Sequence, residues 1–304
     1  MDKFQIVGVG YGCVDKICMV EDFPVEDSST HITSRVIQGG GAVATALVAV
    51  ARLGVPCAFI GNIGNDMMSD EVVRQFKEDG VCTDYMVRRD DCYGLESIVM
   101  VNPESGSRTK FPQRDFNPPI TWDQGLKDVI RDAKILHLDG THYENAINAA
   151  RIAKEYGTLV SLDGCSMQKD NEKNKALATL ADILIMNAKY PLRVSGKETY
   201  DEALLEMATW GHKSIIGCTL GDKGSKFVID GKVVNFPSYK AQKVVDTTGC
   251  GDVFHGSFLN AYVSGMDLET CIRFASATAC CKCAMPGGRA GIPTRETVLK
   301  MIRE

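Results

Sequence analysis

Between Asp246 and Asp252 the chain reads DTTGCGD, and this run holds the residue types that phosphoryl transfer needs. Gly249 and Gly251 bracket a turn in which backbone N–H groups approach a ligand closely. A strand-like KVVD leads into the turn and a helix pattern starts at about Asp252. The helix N-terminus adds about half a positive charge at the same point. Together these features make an anion site suited to a phosphoryl group in transfer. A carboxylate beside that anion is not another phosphate ligand, because the charges repel. It is placed to take the proton from an attacking hydroxyl. Read alone, G-x-G-D is equally a turn followed by a helix cap. The Walker pattern G-x-x-x-x-G-K-[ST] is absent.

The elements that must position this run follow from hydrophobic patterning. Short apolar runs mark strands: QIVGVG, CAFIGNIG, KILHLDG, TLVSLDG, DILIMN and SIIGCTLG. Helical stretches lie between them. AVATALVAVARLG ends on Gly54, SDEVVRQFKEDG carries Ser69 as its cap and ends on Gly80, and YENAINAARIAKEYG ends on Gly157. This alternation predicts a doubly wound α/β domain with a mostly parallel sheet. Two stretches, about 13–38 and 82–115, lack a helical period. They read as extra strands of a small discontinuous β lid inserted in one domain, 1–304, with NPESGS as a turn between ESIVMV and SRTKF. A lid sheet has exposed edges, and Ile32, Val36, Ile98 and Val99 supply an apolar face. A two-fold homodimer through the lids is therefore expected.

Composition narrows the setting. The 304 residues are 44% hydrophobic and carry a net charge of -5, which argues against a nucleic-acid surface. No apolar run approaches the roughly 20 residues of a membrane span. MDKFQIVGVG reads as a strand rather than a signal peptide, so a cytoplasmic protein is expected. The twelve cysteines read as reduced thiols, and the C-x-x-C pair Cys280 and Cys283 as part of a packed helix without a zinc set.

DTTGCGD resembles the C-terminal signature D-T-x-G-A-G-D of the ribokinase-like PfkB carbohydrate kinases, with Cys250 in place of the usual alanine. GGGAVATALVAVARLG resembles the family's N-terminal glycine pair and following helix, with Thr45 where asparagine is frequent. The resemblance covers about residues 4 to 300. It implies Asp252 as catalytic base, with Gly249, Cys250 and Gly251 as the anion hole. It implies that Gly40, Gly41 and Thr45 contact the sugar. It gives Asp15, in VGYGCVDKI, two sugar hydroxyls to accept from, as a carboxylate does with a vicinal diol. TLGDKGS resembles a T-x-G-x-x-G loop lining ATP, which assigns Thr219, Gly221 and Gly224, beside Thr247 of the signature, to the nucleotide. RFASATACCKCAMPGGRAGIP resembles the helix and loop that enclose adenine and, in many members, a monovalent cation such as K+. Many members also carry N-x-x-E supporting Mg2+ through water. Here Asn187 is present, and is assigned to the nucleotide side, but Tyr190 replaces the glutamate, and no side chain is assigned as a metal ligand.

The segments GGGAVATA, DVFHG and KCAMPGGRAGIP are most similar to ketohexokinases and bacterial sulfofructose kinases. This implies ATP-dependent phosphorylation of a primary hydroxyl on a ketose-like sugar. A sulfonate or phosphate tail would need cationic partners, for which Arg88, Arg89, Arg108, Lys110 and Arg114 of the lid are candidates. The strand end LDGTHY offers Thr141 and His142 but no arginine, and Lys110 and Thr141 are assigned to the substrate. A nucleoside kinase shares these motifs. A non-catalytic sugar-binding regulator would keep the glycines without needing Asp252.

Overall fold

The computed structural model describes residues 4–102, 104 and 107–303. Its strands are β1 (Ile6–Val9), β2 (Cys13–Val20), β3 (Ile32–Gly40), β4 (Cys57–Ile63), β5 (Met86–Arg88), β6 (Leu95–Val101) and β7 (Arg108–Pro112), then β8 (Ile135–Leu138), β9 (Leu159–Gly164), β10 (Ile183–Asn187), β11 (Ile215–Thr219), β12 (Ser225–Ile229) and β13 (Lys232–Phe236). The helices are α1 (Ala42–Arg52), α2 (Met67–Glu78), α3 (Gln124–Asp132), α4 (Tyr143–Tyr156), α5 (Asn171–Leu180), α6 (Tyr190–Ser195), α7 (Tyr200–Met207), α8 (Cys250–Val263), α9 (Leu268–Lys282) and α10 (Arg295–Met301).

The large sheet has the order β13-β12-β11-β10-β9-β8-β1-β4-β5. It is parallel from β11 to β5, and β12 and β13 add an antiparallel edge. Its central strands are apolar on both faces; Ile6, Val7, Ile135, Leu136, Ile183 and Leu184 are fully buried. One core cluster holds α3, α4 and part of α7 against one face. A second holds α1, α8 and α9 against the other. This is the doubly wound architecture expected, with loops gathered at the carboxyl ends of the strands.

A separate four-stranded sheet has the order β3-β2-β6-β7. Most of the two stretches read as a lid lies here, but 82–115 divides. Met86–Arg88 pairs in parallel with β4 and extends the large sheet instead. A crossover through α2 from β4 to β5 places it there, and the chain enters the small sheet only at Leu95. The expected NPESGS turn includes Pro103, Ser105 and Gly106, which lie outside the described residues.

Ile98 and Val99 do not share an apolar face. They are neighbours on β6 and point to opposite sides, as the two-residue period of a strand requires; Val99 is buried and Ile98 is 36% exposed. The exposed row runs Ile37–Lys16–Ile98–Phe111 across paired strands. Asp15, Arg108 and Lys110 share the opposite face, by the same register.

Helix α2 starts at Met67. Asp66 rather than Ser69 is its cap, accepting from the N–H groups of Met68 and Ser69 at 2.9 Å each. Ser69 lies one turn inside, where its hydroxyl accepts from the Gly64 N–H.

Candidate active site

Helix α8 starts at Cys250, with Gly249 in the left-handed region (φ 75°) as its unaided N-cap. Asp252 therefore sits in the first turn rather than at the cap. A Cβ on Gly249 would stand 2.7 Å from Gly288 Cα, so the glycine is required by close approach of the C-terminal loop as well as by its φ. The N–H groups of Gly251 and Asp252 lie in the first helical turn, where intrahelical acceptors are missing. The Cys250 N–H is instead drawn to the Thr247 carbonyl at 3.3 Å, so it is the engaged member of the three expected donors.

The loop before α8 is held from both sides. Asp246 accepts from the Thr248 N–H at 2.7 Å and the Gly287 N–H at 2.8 Å. Arg108 of β7 donates to Asp246 at 3.2 Å and to the Thr248 hydroxyl at 2.6 Å. The small sheet thus bridges onto the glycine turn. The Cys250 and Cys283 sulfurs lie 3.2 Å apart, tying the start of α8 to the end of α9.

Asp252 is half-buried. Burial, and after it the negative charge of Asp163, push its carboxyl up to about 7 against the opposing pull of His255 and Lys110. Asp163, at the carboxyl end of β9, accepts from His255 Nε2 at 3.1 Å with both side chains buried. Burial pushes Asp163 up, but the neighbouring His255 more than offsets it and leaves the carboxyl below its usual value. Asp252 thus stands beside a charged, paired carboxylate without a direct partner of its own among the described hydrogen bonds. This is the condition of a base poised near neutrality. A base at this position would work deprotonated, so kcat/KM for an acceptor is then expected to rise about tenfold per unit toward pH 7 and to level off above it. A profile flat from pH 5 to 9 would remove Asp252 from that role.

The neighbouring surface is built around Asp139, fully buried at the end of β8. Its carboxylate accepts from the Tyr11 N–H (2.9 Å), the Thr141 N–H (2.8 Å) and the Val43 N–H (3.4 Å). It gathers the end of β1, the loop after β8 and the start of α1 at one point. Gly41 caps α1 at φ 97°, and a Cβ there would meet the Tyr11 carbonyl at 2.1 Å. A Cβ on Gly40 would strike the Asp15 carboxylate at 2.3 Å, so the bare backbone and the acid share one surface. Burial raises the Asp15 carboxyl, with Cys13, Lys110 and Arg289 opposing. Lys110 shares the Asp15 face of the small sheet and acts electrostatically on both Asp15 and Asp252.

Thr45 is buried, with its hydroxyl turned to Arg289 Nε at 3.5 Å rather than to an open surface. Thr141 bonds Ser166 through its hydroxyl at 2.9 Å. On the other side of the turn, Asn187 spends its carbonyl oxygen on the Lys189 and Tyr190 N–H groups, and Tyr190 is buried with its hydroxyl on the Asn174 carbonyl. Thr219 ends β11, and Gly221 and Gly224 form the positive-φ turn into β12. Thr247 is exposed.

Three residues were not singled out by sequence reasoning. Arg289 is buried; it donates to the Gly40 carbonyl at 3.2 Å and lies over the Phe76 ring. Lys282 is fully buried. His255 completes the pair with Asp163. All three stand in segments whose motifs were read, yet a cation or imidazole inside an apolar pattern gives no periodic signal of its own.

The pfkB family carbohydrate kinase model matches residues 3–295. The chain is similar to a ketohexokinase of Mus musculus, 24% identical over 294 residues, which are 94% of this chain and 98% of the relative. It is similar to a nucleoside kinase of Methanocaldococcus jannaschii, 26% identical over 310 residues, 99% of this chain and 97% of the relative. Among solved structures it is similar to Arabidopsis thaliana ribokinase complexed with ribose and ATP, with a TM-score of 0.86 at 27% identity, covering 99% of each chain.

Proposed function

Because this chain belongs to the pfkB family of carbohydrate kinases, and is an ATP-dependent kinase of a sugar or nucleoside, we propose that its acceptor is a ketose-like sugar phosphorylated on a primary hydroxyl, with Asp252 as the base. The observation that carries this reading is the half-buried Asp252 in the first turn of α8, its carboxyl held near neutrality beside free first-turn N–H groups. The γ-phosphoryl would rest on those N–H groups. The sugar would lie on the Gly40–Gly41 backbone with Asp15 accepting from its hydroxyls and Lys110 above it. The hydroxyl facing Asp252 would lose its proton as it attacks.

A neutral acceptor is favoured over one with a sulfonate or phosphate tail. Arg88 pairs with Asp70, Arg89 with Asp91 and Arg108 with Asp246, while Arg114 lies over Phe116. Of the five, Lys110 is the one on the Asp15 face whose charge acts on both Asp15 and Asp252. No group of three or more His, Cys, Asp or Glu side chains among the described residues could hold a metal ion unaided. Mg2+ therefore fits here as an ion carried in on the ATP phosphates, largely through water, where it would shield their charge.

The test is Mg2+-dependent ADP release with ketoses, aldoses, sugar phosphates and nucleosides as acceptors. A neutral ketose is expected to give the highest kcat/KM, with little ATP hydrolysis when no acceptor is present. Preference for a nucleoside would select the other activity found among the relatives.

We also propose a homodimer through the small sheet. Ile37, Ile98 and Phe111 form an exposed apolar row on the face turned away from Asp15. The expected result is a dimer mass in light scattering at micromolar concentration, shifted to monomer by Phe111→Glu with Ile98→Glu. A wild-type monomer would refute it. No helix among the described residues is long and apolar enough to cross a membrane, and a cytoplasmic location is proposed on that composition.

A further inference from the structure

Lys282, the last residue of α9, has no solvent exposure at all. A lysine ordinarily keeps its ammonium in water even when its stem is covered. Here Nζ donates to the Asp246 backbone carbonyl at 2.8 Å. Asp246 is the first residue of the DTTGCGD run, and its carboxylate ties that run to the C-terminal loop through the Gly287 N–H. The ammonium also sits at the C-terminal end of α9, where the helix dipole favours a cation.

Its charge reaches the groups around the glycine turn. Burial pushes the Asp246 carboxyl up, and the N–H groups of Thr248 and Gly287, together with Lys282, bring it below its usual value. Burial pushes the Cys250 thiol up to about 12, with Lys282 as the opposing influence. Cys250 is the first residue of α8, so the ammonium, held on the Asp246 carbonyl, acts on the start of the helix that would receive the phosphoryl.

The C-terminal segment containing Lys282 is the one whose resemblance implies a bound monovalent cation. The residues present do not fit that ion. The Asp246 carbonyl already accepts from an ammonium, and that lysine is wholly shut off from solvent. A second positive charge beside it would meet repulsion in a medium of low dielectric.

We propose that Lys282 is a positioning residue whose ammonium serves as the resident cation under the phosphate loop, making the enzyme indifferent to K+. It holds the Asp246 carbonyl and so fixes the path of the backbone into Gly249. It also adds positive potential behind the N–H groups that would receive the phosphoryl. This inference rests on the kinase reading of the same site. Its effect belongs in kcat, because charge on the transferring phosphoryl is what the loop must meet during the reaction.

Two measurements test it. The first needs no turnover: the melting temperature is compared in KCl and in tetramethylammonium chloride at equal ionic strength. The wild type is expected to melt at the same temperature in both. Lys282→Ala, which empties the space, is expected to be stabilised by K+ or by methylammonium, as ligand linkage requires. The second is turnover. Lys282→Met and Lys282→Ala are expected to lose about 10–10² in kcat, somewhat less than removal of a direct donor. Methylammonium or K+ should restore most of the loss in Lys282→Ala but not in Lys282→Met, where the space stays filled.

A wild type that is stabilised or activated several-fold by K+ would overturn the proposal. So would Lys282→Met with wild-type kcat, or a Lys282→Ala loss that no small cation restores, since both mean that the lysine only packs. If no acceptor supports turnover at all, the kinase reading fails, and the melting comparison still decides whether Lys282 fills the cation's place.

Discussion

Replacing Asp252 with asparagine is expected to lower kcat by about 10²–10⁴, the range of a lost general base. The acceptor hydroxyl is a weak nucleophile while protonated, and asparagine keeps the size of the side chain but accepts no proton at neutral pH. The structure sharpens what else should change. Asp252 does not cap α8, because Gly249 does, so no helix cap is lost. Its carboxyl is raised to about 7 by burial and by Asp163. An acid whose folded pKa is raised binds more protons folded than unfolded between about pH 4 and 7, so its contribution to stability falls as pH rises through that window. A neutral amide at this position escapes that cost. The variant should therefore melt several degrees above wild type at pH 8, and the gain should shrink toward pH 4. Sugar KM should change little. A variant with near wild-type kcat would leave Asp252 without a chemical role.

Gly249→Ala is the second large effect. At φ 75° an alanine is strained by roughly 1–2 kcal/mol. The new Cβ also falls 2.7 Å from Gly288 Cα and 2.9 Å from Gly288 O, both backbone atoms that cannot rotate away. The start of α8 or the C-terminal loop must move, and the first-turn N–H groups move with it. A loss of about 10²–10³ in kcat is expected, as for removal of an oxyanion donor. Gly157→Ala is the matched control. It has φ 76° at the end of α4, and nothing lies within 4 Å of its added Cβ. Both variants should lose stability in thermal melts, and only Gly249→Ala should lose activity. Equal kcat values in the two would mean that Gly249 shapes no part of the reaction site.

Both positions are legible in the sequence because they belong to one contiguous run. A strand, a glycine turn and a helix start leave a local pattern, and the doubly wound fold follows from repeated strand–helix alternation. What escaped was long-range. Lys110 is the lid cation that sequence assigns to the substrate, but its placement on the face with Asp15, and that of Ile98 on the other, follow only from the β2–β6–β7 pairing. Met86–Arg88 looked like lid because a three-residue strand has no period, and only the crossover through α2 assigns it to the large sheet. Asn187 was read as facing the nucleotide, yet its carbonyl oxygen is used to start α6. Thr45 is expected at the sugar, and what sequence does not show is that its hydroxyl accepts from a buried Arg289 at the far end of the chain. A lysine in an apolar helix pattern is expected to reach water, and the contact of Lys282 with Asp246 appears only when α9 packs behind the glycine turn.

The transfer itself is most directly tested by the product. Phosphorus-31 NMR of the reaction with the best ketose, ATP and Mg2+ distinguishes the outcomes by coupling to neighbouring protons. A phosphate on a primary hydroxyl adjoins a CH₂ group and is expected as a triplet, formed at a rate that Asp252→Asn lowers at least about a hundredfold. A doublet, from a secondary hydroxyl, would contradict the proposed acceptor geometry. A singlet of inorganic phosphate accumulating equally with and without sugar would contradict transfer to a sugar altogether.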